Sequence, residues 1–110
     1  MKLIPKQLVT IAFSSLFLSI PGLSATVNEQ AFIIGILASE KCQVRKGANQ
    51  TLLRAMIKDE VKKMNIDVKL LKNNRLNQGA YYYSLDLDAT CGKSTLSDNE
   101  QENLLMKYIK

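Results

Sequence analysis

Two cysteines constrain this chain more than any other feature. Cys42 and Cys91 are the only ones in 110 residues. They do not form a Cys-x-x-Cys pair, so a bond between them would close a loop of about 50 residues rather than a redox hairpin. Whether they bond depends on compartment, and the opening residues speak to that. "MKLIPKQLVTIAFSSLFLSIPGLSA", residues 1–25, has the three parts of a secretory signal peptide. Lys2 and Lys6 make the positive start, Leu8 to Ile20 the apolar run, and Pro21-Gly22 breaks the helix ahead of the small residues Ser24 and Ala25. The run is about 13 residues long where a spanning helix needs about 20, so cleavage after Ala25 is expected rather than a membrane anchor. No cysteine follows the run, which argues against a lipoprotein. Export puts residues 26–110 in a periplasmic or extracellular space, where a Cys42–Cys91 disulfide is the simplest use of both thiols; an intermolecular bridge or a redox pair is the alternative. In the chain-entropy picture such a loop stabilises by on the order of 4 kcal/mol, a large share of a small domain's stability.

Residues 26–110 are expected to form one small helical domain, of a size at which a core alone is barely sufficient. Thr26 and Glu29 have capping-box spacing ahead of "VNEQAFIIGILASEKCQVRKG", a first helix with one broad apolar or small face and Gly47 at its C-terminal end. "FIIGILA" is too short to span a membrane and reads as core. A second helix begins at Asn49 or Thr51, with Leu53, Met56, Ile57, Glu60, Val61 and Met64 on one side and Asn65 closing it. Asp67 can cap a short helical turn, "VKLLKN". Ser97 and Glu100 form another capping box before a last helix that carries Leu104, Leu105, Tyr108 and Ile109. Residues 74–92 fit two patterns. Tyr81, Tyr83, Leu85 and Leu87 alternate as in a strand, whereas Leu76, Ala80, Tyr83 and Leu87 share a helical face with Asn74 as cap. A lone two-stranded hairpin is marginal in water, which favours helix. The expectation is therefore an all-α domain of four helices tied by one disulfide. Cys91 would stand at the end of the third helix and the second would pack between the first and the third. The alternative is an α+β fold with a short hairpin at 66–71/81–88.

Several motifs fail on inspection. "CGKST" ends like a phosphate-binding loop, but the first glycine of that signature falls on Leu87. Asp86, Asp88 and Thr90 mimic the start of a calcium loop, yet Cys91 and Ser97 stand where its glycine and glutamate belong. The chain has no histidine, which removes Ser-His-Asp and Cys-His catalysis and histidine-ligated zinc. Asp86 with Asp88 and Glu100 with Glu102 are carboxylate pairs on paper of the kind a glycosidase uses, but neighbours two apart do not share a helical face. No catalytic residue, metal site or cofactor is assigned, and a non-enzyme is expected; a small hydrolase ranks a distant third.

What remains is binding. Residues 41–75 hold ten lysines and arginines against Asp59, Glu60 and Asp67, while the segments on either side are mildly acidic. Arg54, Lys58, Lys62, Lys63, Lys69, Lys72 and Arg75 are candidates for an anionic lipid, an envelope polymer or an acidic partner; the plainer reading is a solvated helix flank. Tyr81, Tyr82 and Tyr83 are candidates for a stacking surface that meets sugars or a partner, against plain packing. Asn49-Gln50-Thr51 matches a glycosylation acceptor and serves equally as a helix cap. Nucleic acid is a poor partner for an exported chain without a recognition motif. The leading expectation is an exported helical protein that acts by binding a partner, with an envelope- or membrane-surface binder working through residues 41–75 as the rival.

Overall fold

The apolar stretch early in the chain becomes the axis of the molecule. The structure, a computed structural model, describes residues 25–110; the expected leader lies outside them save for Ala25. Helix α1, Ala25–Arg45, is followed by α2, Gln50–Lys63, a 3-10 turn at Val68–Lys72, α3, Asn74–Ser84, and α4, Asp98–Met106. At 1.5 Å per residue α1 is about 31 Å long, close to the longest dimension of the molecule, 37 Å. Every residue from Gln30 to Glu40 is buried. The expected single broad face is thus an understatement, since a helix apolar on all sides is one surrounded by the rest of the chain. No helix among the described residues is long and apolar enough to cross a membrane.

Both long helices end in the same way. Gly47 at φ 99 and Asn65 at φ 60 adopt the left-handed conformation that glycine and asparagine tolerate best. Each sits in a Schellman closure: Ala48 N donates to Gln43 O and Gly47 N to Val44 O, as Ile66 N does to Val61 O and Asn65 N to Lys62 O. Thr26, the expected cap of the first helix, lies instead inside α1, which already includes Ala25. The later starts follow the expected caps with one correction. Asn49 Oδ1 accepts from Leu52 N, Asp67 Oδ1 from Lys69 N, and the Ser97–Glu100 capping box is complete. At α3, however, Asn73 rather than Asn74 is the cap, accepting from Leu76 N at 2.9 Å.

Helix wins over strand at 74–84, and no strand forms among the described residues. The alternating pattern of 81–88 survives only as a single antiparallel bridge, Leu87 to Ser94, inside the loop after α3. Two packing expectations are corrected. Cys91 lies in that loop, not at the end of α3, and α2 does not separate α1 from α3. Helix α3 lies directly on α1, burying Leu76, Ala80 and Tyr83, while α2 packs on α1 and the 3-10 turn through Leu53, Ile57 and Val61. The Cys42–Cys91 disulfide is present, with Cα atoms 5.7 Å apart and both residues buried.

Candidate functional site

Polar side chains buried on α1 lock the other elements in place. Glu40, 2% exposed, accepts from Arg54 Nε and Nη2 of α2 at 2.8 and 2.7 Å. That two-pronged bond is the main reason the Arg54 guanidinium is held above its ordinary value, with burial acting the other way. Ser39 Oγ donates to Cys91 O at 2.8 Å and accepts from Gln43 Nε2, holding the disulfide loop. Gln30 Oε1 accepts from Arg75 Nη2 of α3 at 2.9 Å and from Lys110 N at 3.1 Å. Arg45, exposed at the end of α1, donates to Ser84 Oγ and Ser84 O at the end of α3.

This arrangement divides the basic candidates. Arg54 is committed to Glu40, and Arg75 donates to Gln30 and, at 2.7 Å, to Tyr108 O. Lys58, Lys62, Lys69 and Lys72 are exposed and form no ion pair among the described residues; Lys63 is exposed and lies 4.0 Å from Asp59. A shallow hollow of about 410 Å³ on α2 is lined by Gln50, Thr51, Arg54, Ala55 and Lys58.

The three tyrosines separate as helical spacing requires. Tyr83 is fully buried, and burial pushes its hydroxyl up to about 12, with a Ser94 bond opposing and Asp98 adding to the rise. Tyr81 and Tyr82 are 49% and 47% exposed. With Gln78 and Leu85 they occupy positions i, i+3, i+4 and i+7 of one outward face, and the stretch from Leu76 to Leu85 contains no charged residue. The two rings meet edge to face, centroids 5.2 Å apart and planes at 78°. Tyr82 also stacks on Tyr108 at 6.2 Å and 19°. A groove of about 480 Å³ runs along this face, lined by Asn74, Asn77, Gln78, Tyr81 and Tyr82. Tyr108 comes near because Gly79 has no side chain: a Cβ there would lie 2.9 Å from both Tyr108 Cβ and Cγ.

The loop that resembled a phosphate or calcium site is a closed turn. Asp88 Oδ1 accepts from Thr90 N and Thr90 Oγ1 at 3.0 and 2.7 Å, and these bonds, the side-chain one first, hold its carboxyl below the usual range. Asp88 N donates to Lys93 O and Thr95 N to Asp86 O, folding the segment on itself. Lys46 Nζ donates to Ala89 O. Among the described residues no cluster of acidic or sulfur side chains has the makings of a metal site.

The Gln30 and Glu40 locks were not anticipated, although two polar residues within a long apolar helix were a visible signal. Comparison with protein-family models, with curated proteins and with solved structures gives no match.

Proposed function

We propose that this chain is an exported, non-enzymatic binding protein whose recognition surface is the outward face of α3. The observation that carries this reading is the pair Tyr81 and Tyr82, half exposed within a stretch, Leu76 to Leu85, that holds no charged residue, beside a groove of about 480 Å³. Large rings left in water cost solvation that a partner recovers, and tyrosine adds a polar tip and little flexibility. Export is supported by the leader pattern in residues 1–25 and by the disulfide, which suits an oxidising compartment. The test is a photo-crosslinking amino acid at position 82, compared with positions 58 and 62, in the cell that makes the protein. Adducts at 82 but not at 58 or 62 are expected; adducts confined to 58 and 62 would move the surface to α2.

A second reading is favoured by Lys58 and Lys62, exposed one turn apart on α2 and without an ion pair among the described residues. They would meet an anionic envelope surface, and such contact weakens as salt rises. Lys58→Glu with Lys62→Glu would then abolish binding to phosphatidylglycerol vesicles, and unchanged binding rules this reading out.

A further inference from the structure

We infer that the groove on the outer face of α3 is a subsite for a neutral saccharide, with Tyr81 as the stacking platform and the Asn74 and Gln78 amides as readers of hydroxyl groups. The inference rests on taking that face as the recognition surface and names the class of ligand it accepts.

Charge selects first. The lining is two tyrosines and three amides, and the nearby Lys41 ammonium is directed at Asn77 Oδ1, 3.4 Å away. An anionic ligand would lose its hydration and find no cation among the lining residues, although the charged Lys41 lies beside Asn77, and the dextran sulfate control tests that pull. Polarity selects next. A purely apolar partner would strip water from the exposed amides of Asn74 and Gln78 and leave their donors and acceptors unmet, at a cost. A pyranose satisfies both kinds of group. Its C–H-bearing face is weakly positive and suits the negative face of an aromatic ring, while its hydroxyls each donate and accept, as a carboxamide does.

Part of the site is set in advance. Asn77 Nδ2 donates to Leu71 O and Asn73 O at 3.0 and 2.8 Å, which fixes its side chain. Tyr82 is backed by Tyr108, whose carbonyl accepts from Arg75. Tyr81 stands at 78° to Tyr82, so the two rings form a corner with Tyr82 as wall and Tyr81 as the less encumbered face. With Asn77 bonded and Tyr82 stacked on Tyr108, that part of the site spares some of the ordering cost of binding, and Tyr81, Asn74 and Gln78 bear the rest.

The test is an amide chemical-shift titration of the oxidised, exported protein with chitotriose, cellotriose and maltotriose at up to about 10 mM, a range that detects millimolar binding. Dextran sulfate is the anionic control. At least one neutral trisaccharide is expected to shift amides of residues 74–82, unaffected by raising salt from about 50 to 500 mM. Tyr81→Ala is expected to weaken it about tenfold, the worth of one aromatic contact, while Tyr81→Phe keeps most of it. No shift with any of the three sugars, or shifts at 74–82 with dextran sulfate alone, overturns the saccharide inference. Crosslinks at position 82 would then still uphold the surface. A sugar that binds elsewhere and ignores Tyr81→Ala also overturns the saccharide inference, and the crosslinks at 82 against 58 and 62 again decide the surface.

Discussion

Tyr83 shows how one buried polar group couples this fold to pH. Its ring lies against the core and its hydroxyl donates to Gln101 Oε1 at 2.8 Å, joining α3 to α4. Because burial raises the hydroxyl from 10.0 to about 12, the folded state keeps its proton where the unfolded chain releases it. The contribution is therefore complete below pH 10 and is lost as pH rises towards 12, amounting to on the order of 2 to 3 kcal/mol. Urea unfolding at pH 9, 10.5 and 12 should show that decline, and Tyr83→Phe should flatten the part of it that belongs to this residue. An identical decline in both proteins would remove Tyr83 from the account. The same scale explains why the basic segment misleads when read as charge alone. Arg54 and Arg75 carry formal charges like their lysine neighbours, but their planar forks are occupied by Glu40, Gln30 and the Tyr108 carbonyl. Sequence spacing does not reveal which cations turn inward, because the partners lie up to 45 residues away.

Local chemistry made the elements legible where it acts within a few residues. Gly47, Asn49, Asn65, Asp67 and the Ser97–Glu100 box mark helix ends at the expected places, since a cap is satisfied by atoms two to five positions away. Residues 74–92 were ambiguous because period two and period 3.6 coincide over so short a run. The chain resolves this by ending α3 at Ser84 and making one bridge at Leu87. The close approach of α3 to the 107–110 segment was not legible, since it depends on what faces Gly79 rather than on Gly79 itself. Gly79→Ala would place a methyl within 2.9 Å of Tyr108. Overpacking of this kind costs about 1 to 3 kcal/mol, offset by up to about 1 kcal/mol of helix propensity. The variant should melt lower than the parent, while Gln78→Ala, on the exposed side, should melt with it. Equal melting of Gly79→Ala and the parent would mean that Tyr108 moves aside freely.

At the scale of the molecule, one buried helix organises the whole. The other elements have modest apolar faces of their own: α2, α3 and the loop carrying Cys91 are fixed to α1 by packing together with a polar lock or the disulfide, the 3-10 turn packs on α1, and α4 is held to α3 through Tyr83 and Gln101. The outward face of α3, with Tyr81 and Tyr82, is positioned by the contacts that bury its inner side on α1. The fold class and the cysteine pairing were legible because a two-cysteine chain has one internal pairing and because capping signals are local; the order of packing was not, since it follows from long-range burial. Cys42–Cys91 closes a separation of 49 residues. Reduction should lower the melting temperature by more than about 15 °C, the equivalent of about 4 kcal/mol in a domain of this size. A small shift would mean that the polar locks hold the loop without it. Export and the staple together are the central claim, and the intact mass of the protein taken from the cells or medium that produce it tests them most directly, with and without reduction and alkylation. The account predicts a chain beginning at Thr26 whose mass is short by the two hydrogens lost to the disulfide. A chain that retains Met1 and carries two alkylatable thiols would contradict it.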